Sequence, residues 1–389
     1  MTAVLAGRLV AFLVATTIVC LAPRTAVAFP QWQLSSGATR CNQCHYAPAG
    51  GGLINTYGRD AAGEQLSTFD GNGGLLHGAI SLPSWLALGG DLRGAFVAHD
   101  AQDPQGATAA VFPMQADAYG RVALGAGISV SGTVGLRGQI RDPDVLVPEQ
   151  NYQPISASRF ISREHTLQWQ PETIGPYLRA GRFFAPFGLR LAEHVVYVRR
   201  DLGFDRLQET YNLSGGFVYD RAELHLTLFA PDFVRHIGSL EKGFAGYFET
   251  RVLDDRIAVA GQMRLAAGPG VTRFMVGAVG KAYVERLRTL FLAELNAVQL
   301  IFDDSGNTTR QQIVGAGGFA VLPVRGLVVT MLGEHNQLDV AFPNSWTAVT
   351  GLVNWFPAAH FDIQLMGRLQ FPSGGEAAKT FLAQIHYFL

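Results

Sequence analysis

The sequence predicts an all-β, membrane-spanning antiparallel barrel of about 16 strands, preceded by a small, mostly helical or loop segment. Three observations carry this. Runs of strand length alternate apolar and polar residues from Trp85 onward. The connections between those runs alternate between short and long. Charged residues are only 16% of the chain and glycines number 45, yet after the N-terminal stretch no segment offers the roughly 20 apolar residues that a membrane helix needs.

Taken in order, residues 1–28 read as an export signal. Arg8 precedes the apolar run LVAFLVATTIVCLA, and Ala26 and Ala28 are the small residues ahead of a cleavage site before Phe29. The run is about 14 residues, too short to span a bilayer. Cys20 lies within it and leaves with it. Thr17, Ile18 and Val19 do not make a lipid-attachment site.

Residues 29–84 form the next unit. With Cys20 gone, Cys41 and Cys44 are the only cysteines, and His45 follows directly. CxxCH is the attachment pattern of haem c, in which two thiols add to the haem vinyl groups and the histidine ligates the iron. A zinc site is the alternative, but it normally takes four ligands and no second cysteine pair exists. A disulfide between the two thiols would close a tight, strained loop. Covalent attachment also suits a segment of about 55 residues, which cannot bury much surface alone. The segment holds one further histidine, His77, in GGLLHGAIS, and no methionine. His77 is therefore the candidate distal ligand. His99 and Met114 fall on predicted strands, with His99 on the lumen-facing parity of Asp91 and Arg93. An axial methionine would raise the potential relative to two histidines.

APAGGGLINTYGRD follows His45. Its glycines let the backbone approach a flat group closely, and Tyr57 and Arg59 are candidates for a haem edge or a propionate. Equally, the stretch reads as a glycine turn followed by a short helix over about Asn55–Leu66.

The barrel occupies residues 85–389. In RAELHLTLFA, Ala222, Leu224, Leu226 and Leu228 share one face, and Arg221, Glu223, His225 and Thr227 share the other. In FDIQLMGRLQF, Phe361, Ile363, Leu365, Leu369 and Phe371 oppose Asp362, Gln364, Arg368 and Gln370. A soluble sandwich also alternates, but it has no reason to place short turns at one end and long loops at the other, as outer-membrane barrels do. YDR and DD are short; PDFVRHIGSLEKG and the stretch from Ala185 to Arg206 are long. AGPGVT is shorter than the scheme asks. TFLAQIHYFL places Phe381, Ala383, Ile385, Tyr387 and Leu389 on one face, similar to the final-strand signal of such barrels.

Net charge is −1, which gives no basic field for nucleic acid. Asp142, Asp144 and Glu149 on a long loop either hold a metal ion loosely or merely solvate the loop.

Signal, FPQW, Cys41-x-x-Cys44-His45, a glycine-rich stretch and a barrel together resemble the fused outer-membrane monohaem cytochrome–porins of iron-oxidising bacteria. GRFFAPFGLR is also similar to segments of phosphate-selective porins. The first resemblance implies one covalent haem c on Cys41 and Cys44 with His45 as proximal ligand, and a haem segment that plugs or caps the lumen. It further implies electron transfer between an extracellular donor or acceptor, such as ferrous iron, and a periplasmic cytochrome or other carrier. Activity as an extracellular iron oxidase falls within that. Outer-membrane lipid is the surrounding partner. The competing reading is a diffusion porin for small solutes or anions with a haem-bearing plug, supported by inward arginines such as Arg93, Arg221 and Arg368.

Overall fold

The computed structural model describes residues 33–34, 38–100, 108–137, 152–153, 160–205, 208–232, 238–303, 306 and 308–389. The signal sequence, FPQW and the loop carboxylates Asp142, Asp144 and Glu149 lie outside these residues.

The strands are β1 (Leu86–Asp100), β2 (Thr108–Gly125), β3 (Ile128–Arg137), β4 (split into Phe160–Ile161 and His165–Trp169), β5 (Gly175–Phe183), β6 (Thr210–Val218), β7 (Ala222–Ala230) and β8 (Lys242–Val252). They continue as β9 (Ile257–Gly268), β10 (Val271–Val284), β11 (Thr289–Phe302), β12 (Thr309–Val324), β13 (Leu327–Asp339), β14 (Asn344–Trp355), β15 (Phe361–Pro372) and β16 (Ala378–Phe388). Each pairs antiparallel with the next, both pieces of β4 pair with β3, and β16 returns to β1 with Asp91 opposite Phe388 and Asp100 opposite Lys379. The seventeen segments of the sheet thus make a closed barrel, since two of them are halves of β4. Closure leaves no edge with unpaired backbone groups, which is what a bilayer demands of a sheet.

The faces are those the alternation predicts. On β7, Glu223, His225 and Thr227 are buried in the lumen, while Leu226 and Leu228 are 45% and 59% exposed on the outside. On β15, Asp362, Arg368 and Gln370 are inside, and Leu365, Leu369 and Phe371 are outside. A sheet in water would hide the apolar face and wet the polar one. Here the oily face is the outer one, so its solvent is lipid.

Leu86 and Leu389 lie at the same end as the short turns, with backbone bonds in both directions between Gly90 and Leu389. Short turns mark the periplasmic end. Three successive left-handed residues, Leu253, Asp254 and Asp255, make one of them. At the opposite end β9 and β10 are joined through Pro269 and Gly270 alone, which accounts for the short AGPGVT stretch. Gly270 there takes φ +76°, a value that glycine adopts without strain.

Before β1 the described residues form a single 3-10 turn at Cys41–Gln43 and helix α1 (Thr56–Ala61), prolonged by a π turn over Ala62–Leu66. That is the helix expected over Asn55–Leu66, with Asn55 as its N-cap.

The loop between β5 and β6 turns into the lumen and carries helix α2 (Tyr197–Arg200). Its Phe187, Leu189, Val196, Tyr197 and Leu202 pack against wall residues Met275, Leu290, Val314 and Leu332. Wall side chains serve its backbone. Leu189 N–H donates to Glu294 at 2.7 Å, Tyr197 N–H to Glu334 at 2.8 Å and Gly188 N–H to Gln262 at 2.6 Å. Arg264 donates to the Leu202 carbonyl at 3.1 Å and Arg273 to the Asp201 carbonyl at 3.3 Å. A loop inside a barrel survives only with such partners, because each unmet buried polar group costs about 1–3 kcal/mol.

Candidate functional site at the capped end of the barrel

The segment ahead of β1 runs around the periplasmic mouth and is tied to one short turn after another. Gln33 reaches into the lumen, accepting from Lys281 at 2.7 Å and donating to Glu249 at 3.3 Å. Arg40 pairs with Asp220 of the β6–β7 turn at 2.6 Å, and Asn42 donates to the Thr173 carbonyl of the β4–β5 turn at 2.6 Å. Gln168 donates to the Tyr46 carbonyl at 3.0 Å, and the Arg121 guanidinium lies 4.4 Å from the centre of the Tyr46 ring. Arg59 bonds the Leu88 carbonyl on β1, and Arg325 of the β12–β13 turn bonds both Asp70 and the Glu64 carbonyl. Trp355 donates to Thr68 at 3.1 Å. The segment is a cap.

Cys41, Cys44 and His45 share one turn. The amides of Cys44 and His45 both donate to the Cys41 carbonyl, at 3.2 Å and 3.0 Å, and the two thiols are not joined. Gly50, Gly51 and Gly52 have φ of +81°, +83° and +61°, and this run folds the chain back so that Ile54 bridges His45. A methyl group on Gly50 would stand 2.9 Å from Cys41 Cβ and 3.6 Å from His45 Cδ2. One on Gly58 would stand 2.5 Å from the Cys44 carbonyl oxygen. Neither position admits a side chain.

Asn55 holds this arrangement together. Its amide nitrogen donates to the Cys44 carbonyl at 2.8 Å and its side chain to the Gln43 carbonyl at 3.0 Å, while its side-chain oxygen accepts from Gly58 N–H at 2.9 Å. Burial pushes the Cys44 thiol up to about 12. Burial raises the Cys41 thiol as well, with the adjacent Arg190 cation opposing it.

The remaining sequence-derived positions are not brought to this turn. His77, expected as the distal ligand, meets His360 edge-on at 4.6 Å between ring centres and lies 3.5 Å from the Tyr387 hydroxyl. Its contacts belong to β15, β16 and the turn before β15, whereas His45 sits on a turn tethered to the β4–β5 and β6–β7 turns. Sequence adjacency within the cap did not reveal this, because the cap travels round the rim between the two histidines. His99 Nδ1 lies 2.8 Å from the Thr380 hydroxyl on the neighbouring strand, and Met114 is the extra residue of a bulge opposite Arg93 and Gly94. Tyr57 is partly exposed, and Arg59 is engaged by β1. Among the described residues no three His, Cys, Asp or Glu side chains are grouped to grip a bare metal ion.

Of the inward arginines, Arg368 is buried against Glu334, Arg93 is half-buried, and Arg221 stands exposed on the β6–β7 turn and is not a lumen residue. The other buried cations of the lumen wall are committed too. Arg251 and Lys281 pair with Glu249 at 3.0 Å and 2.7 Å, and Arg264 pairs with Glu241 at 2.8 Å.

The residue that sequence reasoning missed is Arg190 of the lumen loop. It donates to the Ala49 carbonyl at 2.5 Å, lies 3.6 Å from Cys41 Sγ and 3.3 Å from Glu223, and stacks 4.5 Å from the centre of the Tyr247 ring. No local signal announces a contact across so long a stretch of chain. Asn55 did have one, as a capping residue ahead of a helix.

No family model matches the chain, and no curated protein does. Solved structures do. OmpT of Vibrio cholerae is 9% identical over 80% of this chain and 100% of its own, with a TM-score of 0.58. The anion-selective porin from Comamonas acidovorans is 10% identical over 78% of this chain and 99% of its own, with a TM-score of 0.56. The outer membrane channel DcaP of Acinetobacter baumannii is 9% identical over 78% and 97%, with a TM-score of 0.51. At such identities the likeness is one of fold: the chain is built as a porin-like outer-membrane barrel.

Proposed function

We propose that this protein is a porin for small solutes whose periplasmic mouth is capped by its own N-terminal segment, and that the cap carries one covalently attached haem c. The observation that carries the porin reading is the closed barrel with a polar lumen and a loop folded inside it. Similarity to an anion-selective porin and to an outer membrane channel supports the same reading, and leaves small anions as one class of solute.

The cap turn fits a haem by its donor set. Two unbridged thiols and an imidazole lie on one turn, and a glycine run is folded against them where a side chain would intrude. Cys41 and Cys44 would hold the group as thioethers, and His45 would ligate the iron. When bound, such a group supplies one-electron redox chemistry tuned by its axial ligands.

A second reading, electron transfer between an outside donor or acceptor such as ferrous iron and a periplasmic carrier, draws on the position of the turn at the periplasmic end. The hydrocarbon core is about 30 Å thick, so one centre at that end needs a partner on each side.

Two measurements test these readings. The purified protein in planar bilayers should pass KCl current, and total absence of current from both capped and uncapped forms would remove the porin reading. Haem staining after denaturing electrophoresis should be lost in Cys41→Ala/Cys44→Ala and kept in His45→Ala with an altered spectrum. Stain that persists in the double variant would remove the attachment claim.

A further inference from the structure

We propose that Arg190 is the pin between the lumen loop and the cap, so that loop and cap open and close as one gate. The inference rests on the capped-porin reading and names its regulation.

The loop is fixed to one side of the barrel. Glu294, Glu334 and Gln262, on β11, β13 and β9, hold its amides, and its apolar side chains fill the wall behind them. Arg190 reaches past these anchors to the adjoining strands β7 and β8 and to the cap. Its two terminal nitrogens reach different bodies, Nη1 to the cap at Ala49 and Nη2 to Glu223 on β7. The plane of the same guanidinium rests on Tyr247 of β8. One side chain thus joins loop, cap and wall.

The backbone of Arg190 is bent to this purpose. Its φ is +56°, two residues after Gly188 at +67°. A non-glycine residue takes that region at a cost and keeps it only where its surroundings demand it.

The cap's ion pairs at the rim do not substitute for it. Arg40–Asp220 and Arg325–Asp70 each have an exposed carboxylate, and exposed pairs contribute little. Arg190 is 20% exposed but its partner Glu223 is fully buried, and a charge-assisted bond to a buried carboxylate is among the stronger ones. The cap therefore has weak ties at its edge and enclosed ties further in, where Gln33 meets Lys281 and Glu249 of the wall and Leu34 joins the loop's apolar cluster. The charged tie that the lumen loop itself supplies is Arg190. That tie touches Cys41, so a group bonded to Cys41 Sγ must share space with the guanidinium 3.6 Å away. Loading the turn and setting the gate are then one structural event.

The test is single-channel recording of the full-length protein in KCl. Arg190→Ala should open about tenfold or more as often as the parent, the factor set by loss of one hydrogen bond to a charged group. Arg190→Lys should fall between, because one ammonium keeps the charge but cannot span Ala49 and Glu223 together. Both variants should retain the heat-dependent gel migration of a folded barrel. Deletion of residues 33–84 supplies the uncapped reference, or Arg40→Ala/Asn42→Ala/Arg325→Ala if the deletion does not assemble. An uncapped reference that conducts while Arg190→Ala and Arg190→Lys both match the parent overturns the pin and leaves the porin standing. An uncapped reference that passes no current overturns the porin itself.

Discussion

Asn55 and Gln43 face each other across the cap turn, with the Asn55 side-chain amide donating to the Gln43 carbonyl at 3.0 Å while its oxygen caps Gly58. One side chain thus closes the CxxCH turn and starts the helix behind it. Asn55→Ala removes both roles at a cost of about 1–2 kcal/mol. The share of chains that take a covalent haem should fall, read as stain per barrel, and tryptic cleavage of the cap should speed up. Asn55→Asp keeps the cap oxygen and loses the donor, so it should lie between. Equal staining in all three forms would show that the turn does not need Asn55.

Burial of Cys44 sets an alkaline limit on the cap. Its folded value of about 12 lies above the ordinary 9.0. The fold therefore favours the neutral thiol, and this contribution is complete below pH 9 and lost as pH rises toward 12. Release of the cap by trypsin, followed on haem-free protein across that window, should accelerate, and Cys44→Ala should flatten the rise. A parent and variant with identical profiles would contradict the burial argument.

Leu295 lies mid-strand on β11 and is 59% exposed on the outer face. Leu295→Arg should cost about 2–4 kcal/mol, the depth-dependent cost of a lipid-facing cation. Equilibrium unfolding in lipid or detergent by urea would measure it. A loss within error of zero would mean that this face does not meet lipid.

Glu294 accepts from Leu189 N–H, from Gln262 at 3.0 Å and from Asn296 at 2.9 Å. Glu294→Ala leaves three buried donors short of an acceptor and should cost roughly 1–3 kcal/mol or more. Glu294→Gln should cost less. Thermal unfolding followed by gel migration gives the order, and channel noise should rise with the same ranking as the loop loosens. A reversed order would show that the loop is not held by this carboxylate.

Much of this was legible in the sequence because its cause is local. A period-two alternation forces Glu223 and Leu224 to opposite faces wherever the barrel is placed, and short turns such as Tyr219–Arg221 declare themselves by length. The cap helix was legible from Asn55 onward for the same reason. Parity alone misplaced Arg221, because the strand begins one residue later and the arginine belongs to the turn. His77 and Arg190 depend on something alternation does not encode, namely the path of an irregular chain around a rim and the inward fold of a long loop. Both paths are set by contacts distant in sequence: His77 with His360, and Arg190 with Ala49.

His360 has a further consequence. Its ring faces the Phe388 carbonyl of β16 at 2.7 Å on one side and the Asn72 and Gly74 carbonyls of the cap at 3.1 Å on the other. A stretch of the cap shortly before β1 therefore docks where the turn ahead of β15 meets the last strand. Until β16 has zipped onto β1 the cap has no complete seat, so a seated cap reports a finished cylinder. Biogenesis acquires an inspection step: the mouth is sealed only after the wall is whole.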